Sequence, residues 1–273
     1  MSRTFPQGID VVVVSYNSAS YIPRLAYSLR LISIIATVTV VDNGSLDGSA
    51  ELAEAADWGA ELTVLRSPSN PGFGASMNLG AFRGQNNPHD QILILNPDVD
   101  ISERTLLALS RNLANRSDLA TIGPVLETPG GRAVSSARHF PTFRSMALRQ
   151  IQNADHHNEL TDVDWICGAS MLWRRAAFEQ LKGFSDDYFL YFEDVDICKR
   201  ASTGGWRVAI AGSVRAVHDQ GHGRKTAPNL KRESRISRRK YARRWLGVRG
   251  YLASGIADAS DWAADIYHAK RGQ

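Results

Sequence analysis

Ile9-Asp10-Val11-Val12-Val13-Val14-Ser15-Tyr16-Asn17 is a continuous, mostly β-branched run that ends in polar residues. A strand without polar alternation is buried on both faces, as in a parallel sheet, and its polar carboxyl end opens on a site. Outward from it the periods alternate. Ile22, Leu25, Leu29 and Ile32 recur at helical spacing, with Ser20 as the expected cap and Pro23 in the first turn. Residues 37–42 predict a second strand, closed by Asn43-Gly44-Ser45-Leu46-Asp47-Gly48. A helix to about residue 57, a strand over 62–65, a loop over 67–74, a helix over 75–83 and a strand over 91–95 follow. This β-α-β-α-β-α-β order predicts an α/β fold, a mainly parallel central sheet flanked by helices, with sites at the carboxyl ends of its strands.

Polar signals occupy those ends. Asp42 follows Val40-Val41, where a carboxylate can accept the N3–H of a uracil or thymine; the plainer alternative is a strand-end turn. Asn70-Pro71-Gly72-Phe73-Gly74, leading into Asn78, brings backbone N–H groups to a helix start, suited to phosphate, although the glycine spacing matches neither a P-loop nor a dinucleotide fingerprint. Asp98 and Asp100 stand at i, i+2 after the strand of residues 92–95, and hard oxygen ligands on one side suit Mg²⁺ or Mn²⁺ on a diphosphate. Asp100 has an alternative as the cap of the helix that Leu106, Leu107 and Leu109 announce.

Beyond Pro124, residues 130–141 predict a hairpin and a loop carrying Arg138 and His139, and residues 143–160 read as helical, then polar. Residues 163–173 predict one long buried strand interrupted by Gly168, where a backbone approaches a ligand. Residues 206–210 and 214–217 predict two strands, the second delivering His218. In Tyr188-Phe189-Leu190-Tyr191-Phe192-Glu193-Asp194-Val195-Asp196 the aromatics predict a packed wall and the acids the first turn of a helix, whose dipole favours the ionised form. An ionised carboxylate at the rim of an apolar pocket is what a general base for a hydroxyl requires.

Length and composition fit one large domain or one domain with an appendage: 273 residues, 43% hydrophobic and 22% charged. Residues 1–9 lack an apolar centre and no stretch reaches the ~18 apolar residues of a membrane span. Cys167 and Cys198 show no CxxC spacing, so a reducing cytoplasm is expected. The net charge of +4 conceals an asymmetry: residues 224–249 carry eleven Lys and Arg against one acid, whereas residues 1–223 are net −5.

In combination and order these motifs resemble glycosyltransferase family 2, the inverting GT-A fold, and within it the rhamnosyltransferase-like branch that acts on polyprenyl-diphosphate-linked N-acetylglucosamine. The resemblance rests on Val12 to Asn17, Val41 to Gly48, Asn70 to Gly74 with Asn78, Leu95-Asn96-Pro97-Asp98-Val99, Ser136-Ala137-Arg138 with Pro141, Gly168 with Arg174-Arg175, Gly183 to Asp196, Gly205-Trp206, and His218 with Gly221. It implies that Asp42 contacts the nucleobase, Asp98 and His218 hold a divalent Mg or Mn ion, and Asp194 is the general base, with Glu193 orienting the acceptor or supporting Asp194; the spacing offers Asp100 as a further metal ligand. The implied donor contacts are Ser15, Tyr16, Asn17, Asp42, Gly74, Asn78 and Asp98, and the acceptor contacts Arg138, Trp165, Gly168 and Tyr191. Two positions depart from the family pattern: Ser185-Asp186 stands where Asp-Glu is usual, and Gly223 where a serine is frequent.

The expected division is a catalytic domain over 1–223, with a nucleotide-sugar half (1–100) and an acceptor half (101–223), and a basic helical tail over 224–273. The expected reaction is transfer of L-rhamnose from dTDP-L-rhamnose to a glycan or lipid-linked acceptor, with a UDP-hexose donor as the alternative. Tyr241, Trp245, Val248 and Leu252 share one helical face among basic residues, which predicts peripheral contact of residues 224–252 with an anionic membrane at the inner face of the cell membrane. Packing of Trp245 on its own domain, or a homodimer through Leu252, Ile256, Ala263 and Ile266, are the alternatives. A nucleic-acid-binding protein on an inactive nucleotide-sugar fold is disfavoured because it has no use for Asp98, Asp194 and His218 together. No nucleic-acid partner is expected, and a nucleotidyltransferase making the sugar nucleotide is disfavoured because Ser15-Tyr16-Asn17-Ser18 offers no glycine-rich triphosphate loop after the first strand.

Overall fold

The computed structural model describes residues 8–83, 89–148, 150, 152–154, 160–219 and 228–271. In chain order the elements are β1 (Ile9–Ser15), α1 (Ile22–Arg30), β2 (Ile35–Asp42), α2 (Ser49–Ala55), β3 (Glu61–Arg66), α3 (Phe73–Arg83), β4 (Gln91–Leu95), β5 (Val99–Asp100), α4 (Glu103–Asn115), β6 (Leu119–Glu127), β7 (Ala137–Arg138), α5 (Phe143–Leu148), β8 (Leu160–Val163), β9 (Trp165–Ile166), β10 (Ser170–Arg174), α6 (Arg175–Gln180), α7 (Glu193–Thr203), β11 (Arg207–His218) and α8 (Pro228–Arg271). The main sheet runs β3-β2-β1-β4-β10-β6-β11-β5, with β8 added on β11. The first four strands are parallel, as expected; β10 then enters antiparallel between β4 and β6.

Successive β1 side chains serve opposite faces. Val12 and Val14 join Met77 of α3 and Val195 and Ile197 of α7, while Val11 and Val13 join Leu25 of α1 and Leu106 and Leu109 of α4. Both layers are apolar, which is why the β1 run shows no alternation.

Several expected boundaries are revised. Residues 163–173 do not form one strand: β8 goes to the sheet edge, β9 pairs with β7 in a separate two-stranded sheet, and β10 enters the main sheet. Conversely, the two strands expected over 206–217 are one, because a register irregularity between Ala211 and Arg215 lets the ladder on β6 continue across it. α1 begins with Tyr21 at its cap and no side-chain cap bond, so Ser20 is not the cap. α4 is capped by Ser102, which accepts from the Thr105 N–H (3.2 Å), leaving Asp100 no capping role.

α8 contains a break at Gly247, whose φ of +65° belongs to the left-handed region. Arg238 and Arg239 both pair with Asp258. At 1.5 Å per residue these partners would stand about 30 Å apart on a straight helix, so the chain reverses at Gly247 and α8 is two antiparallel limbs. The expected common face of Tyr241, Trp245, Val248 and Leu252 is thereby divided. Tyr241 is buried and Trp245 packs on the core, whereas Val248 and Leu252 are exposed.

Candidate active site

β1 and β2 end side by side, with Ser15 opposite Asp42. Asp42 is buried; one carboxylate oxygen accepts from the Ser45 N–H (2.9 Å), and Oδ2 has no donor among the described residues. Ser15 Oγ is likewise buried without a partner there. Such orphans are costly. They suit a ligand that brings N–H and hydroxyl groups. Asn17, held at φ +51°, accepts from the Leu46 N–H (3.0 Å) and its own N–H reaches Ser45 Oγ (2.8 Å), so it builds the loop after β2, while the Tyr16 ring stands exposed beside it.

Sequence reasoning missed a bridge between this loop and the glycine-rich one. Asn43 Nδ2 donates to Asn70 Oδ1 (3.2 Å) and Asn43 Oδ1 accepts from Ser76 Oγ (2.6 Å), while Asn70 also accepts from the Gly72 N–H (3.0 Å). The Asn-Pro-Gly order was the available signal.

Gly74 and Asn78 prove to be braces. A Cβ on Gly74 would meet Phe184 Cβ at 2.9 Å. Asn78 donates to the Phe184 carbonyl (2.8 Å) and accepts from the Phe184 N–H (2.8 Å), so both ends of its amide hold the stretch that leads to the acids. The same loop reaches further: the Phe73 N–H donates to the Phe189 carbonyl (2.9 Å), and Gly72, at φ +100°, lies so close that a Cβ would stand 2.2 Å from that oxygen.

Asp98 meets His218 because β5 pairs antiparallel with the end of β11, Val99 opposite His218. Asp98 Oδ1 lies 3.3 Å from His218 Nε2, and the Asp98 carbonyl accepts from the Asp219 N–H (3.0 Å). Asp100 is not brought to this pair. Its oxygens take Ser28 Oγ (2.7 Å) and Arg24 (3.0 Å) on α1. The i, i+2 rule does not reach it, since Asp98 lies in the turn closed by Val99 N–H to Asn96 O (3.2 Å) and the strand starts only at Val99. Among the described residues no cluster of three or more His, Cys, Asp or Glu is poised for a metal. Asp98 and His218 still fit Mg²⁺ or Mn²⁺, which take one or two protein ligands and complete their shell with phosphate oxygens and water. Gly221, His222 and Gly223 lie outside the described residues.

Glu193 and Asp194 open α7 after two consecutive left-handed residues, Tyr191 (φ +69°) and Phe192 (φ +68°). Bulky residues enter this region only at a cost, about 1–3 kcal/mol each, when the surroundings hold them. This turn also corrects the expected wall: Tyr188 is buried, but Phe189 and Tyr191 face outward. Asp194 Oδ2 accepts from the Gly168 N–H (3.0 Å) and Oδ1 from the Val195 N–H (2.8 Å). Gly168 is needed for that approach, because a Cβ there would lie 3.3 Å from Asp194 Cβ.

Burial outweighs the helix dipole here and raises both acids. Glu193 is buried with Oε2 unpartnered among the described residues, and burial, then the charge of Asp194, holds its carboxyl well above the usual range. Asp194 is raised by burial too, but the Gly168 and Val195 N–H groups and the charge of Arg138 oppose the rise. Two acids pushed apart in this way divide their roles. Asp194 is the better supported anion and Glu193 keeps its proton to higher pH.

Arg138 and Trp165 stand opposite each other in β7 and β9, the guanidinium 5.1 Å from the indole centre, and Trp165 Nε1 donates to the His139 carbonyl (3.0 Å). Of these residues, the charge of Arg138 reaches Asp194, which also accepts from the Gly168 N–H. Cys167 beside Gly168 is pushed up to about 11 by burial, then by Asp194, and stays a thiol.

A parallel β1–β4 half, an acid–histidine pair where β5 meets the end of β11, and a supported carboxylate at a helix start are the arrangement of a GT-A glycosyltransferase. The chain belongs to glycosyltransferase family 2: residues 6–246 match the family described as "Glycosyltransferase like family 2". It is 28% identical over 247 residues to the N-acetylglucosaminyl-diphospho-decaprenol L-rhamnosyltransferase of Mycobacterium tuberculosis, covering 81% of this chain and 80% of that one. It is 26% identical over 227 residues to the rhamnosyltransferase WbbL of Escherichia coli K12, covering 78% and 84%. Among solved structures, the mannosyltransferase PcManGT of Pyrobaculum calidifontis, in complex with GDP-Man and Mn²⁺, superposes with a TM-score of 0.57 at 16% identity, covering 99% of this chain and 83% of that one.

Proposed function

We propose that this glycosyltransferase moves L-rhamnose from dTDP-L-rhamnose to a hydroxyl of a glycan or polyprenyl-diphosphate-linked sugar, with inversion. The observation that carries the chemistry is Asp194: a carboxylate that accepts from two backbone N–H groups, at Gly168 and Val195, which offset part of the rise that burial gives its pKa, next to an acid that keeps its proton to higher pH. Similarity to the mycobacterial rhamnosyltransferase supports the choice of sugar and acceptor. The orphaned Asp42 oxygen supports a base with an imide N–H, which thymine and uracil share.

Asp194 takes the proton of the acceptor hydroxyl as that oxygen forms a bond to C1 of the sugar. The bond from C1 to the diphosphate oxygen breaks on the opposite face, the bonding pair leaves with the nucleoside diphosphate, and one base suffices. Glu193, protonated, orients the acceptor by donating a hydrogen bond. Arg138, Trp165 and Tyr191 line the acceptor side, and Ser15, Tyr16, Asn17 and Asp42 the donor side. Asp98 and His218 would hold a divalent ion, which would supply charge neutralisation for the leaving diphosphate. Asp100, Gly74 and Asn78 serve the scaffold.

With Mn²⁺ or Mg²⁺ and a short polyprenyl-diphosphate GlcNAc acceptor, dTDP-L-rhamnose is expected to be consumed at least tenfold faster than UDP-glucose, UDP-galactose or UDP-GlcNAc. A UDP-hexose used preferentially overturns the donor assignment, and transfer to a free sugar but not to the lipid-linked one overturns the acceptor.

The reading extends to the membrane. Among the described residues no helix is long and apolar enough to cross one. Beyond the Gly247 reversal, Val248, Leu252 and Ile256 recur every four residues and are 75%, 61% and 65% exposed, with Arg243 and Arg249 exposed nearby. An apolar stripe beside arginines complements anionic lipid, at the inner face of the membrane where the acceptor would lie, whereas two like-charged copies repel. The protein is expected to sediment with phosphatidylglycerol vesicles at low salt and to be released at high salt. Equal binding to neutral vesicles overturns the electrostatic part; a salt-stable dimer that binds neither vesicle assigns the stripe to a second copy.

A further inference from the structure

The strained turn before the acids is held from behind by α8. Asp196, fully buried, accepts from Trp245 Nε1 (2.8 Å), Arg200 Nε (2.8 Å) and Tyr188 Oη (3.3 Å), with Arg244 at 3.4 Å. Ser237 Oγ donates to the Leu190 carbonyl (2.8 Å), Lys240 donates to the Asp187 carbonyl, and the Tyr241 ring lies 5.5 Å from that of Phe192. Residues 187, 188, 190 and 192 are thus each tied to the first limb of α8, directly or through Asp196. In front, the Phe73 N–H holds residue 189. Left-handed Tyr191 and Phe192 persist only if such neighbours over-determine them.

We propose that the basic tail is part of the catalytic machinery, with Trp245 and Ser237 as positioning residues: through Asp196 and Leu190 they fix the Tyr191–Phe192 turn that aims Asp194 at the acceptor hydroxyl. Neither touches substrate. The function of α8 then exceeds contact with a surface, because the limb bearing the apolar stripe is continuous with the limb that clamps the base. The inference rests on Asp194 being the base.

Trp245→Phe keeps an aromatic ring and removes the N–H donor. Donor KM is expected to stay within twofold, because the nucleotide half is held by other contacts, while kcat falls about tenfold, the weight of one hydrogen bond to a charged group. A looser turn costs Asp194 its Gly168 and Val195 N–H partners, which lower its pKa, so the acidic limb of the kcat profile moves to higher pH. The charged and titratable groups facing Asp194 are Glu193, Arg138, Cys167 and Cys198, none of them altered. A merely structural role lowers the folded fraction and scales the profile without moving it. That result, an unchanged enzyme, or a parallel rise in donor KM overturns the proposal. If Trp245→Phe fails to fold, Ser237→Ala, which removes a single hydroxyl, decides by the same criteria with a smaller shift. An Asp194→Asn enzyme that remains active sinks the base assignment itself; an inactive one beside an unshifted Trp245→Phe profile sinks only the positioning.

Discussion

Asp194→Asn is expected to lower kcat by about 10²–10⁴-fold, the range for removing a general base, while donor affinity stays within twofold. The substitution keeps the shape of the side chain and one oxygen for the Gly168 or Val195 N–H, but a neutral amide accepts no proton. Donor affinity survives because the side chains proposed to meet the nucleobase and the diphosphate, Asp42 and the Asp98–His218 pair, are unaltered. In the wild type the rate follows the Asp194 carboxylate, whose pKa burial raises, so activity is lost as pH falls while still above the ordinary aspartate range. Glu193→Gln keeps a hydrogen-bond donor and costs less. A steady-state comparison with calorimetric donor binding decides: a near wild-type Asn variant beside an inactive Gln variant reverses the two roles, and two active variants remove both from the mechanism.

Asp98→Ala is expected to abolish the dependence of donor binding on Mn²⁺ and to lower turnover by at least about 10²-fold, since a Lewis acid at a leaving diphosphate contributes several kcal/mol. His218→Ala moves the same quantities in the same direction. Asp100→Ala leaves metal dependence intact, because its carboxylate is engaged by Ser28 and Arg24. Titration of donor into protein with and without Mn²⁺ measures this directly. Undiminished metal-dependent affinity in Asp98→Ala, or its loss in Asp100→Ala instead, overturns the ligand set.

The pair of Asp98 and His218 shows why tertiary structure was needed even where the sequence was informative. Both residues are recognisable in the sequence as polar groups at strand ends, and Asp100 offers a second carboxylate two positions on, with a helix cap as its alternative. Only the antiparallel pairing of β5 with β11 brings the imidazole to the first acid, and only the turn at Asn96–Val99 sends the two acids apart. Asn78 is a similar case. A polar residue at a helix start beside glycines suggested phosphate, yet its amide is consumed by Phe184, a partner that no local pattern names.

By itself the sequence determined the α/β class, the parallel β1–β4 half, the strand ends that carry Ser15, Asp42 and Asp98, the helix that begins at Glu193, and the family. The family is legible in the combination and order of its motifs, and the rest follows from hydrophobic period and local turn chemistry, which state which face of an element is buried and where the element stops. The tertiary structure alone decided that residues 163–173 serve three different strand pairings, that the Gly168 N–H supports Asp194, that α8 doubles back at Gly247, and that Trp245 reaches Asp196. The physical reason is one of range. Period and propensity are set within a turn or two of chain, whereas the partner of a buried polar group is chosen by packing between segments far apart in sequence.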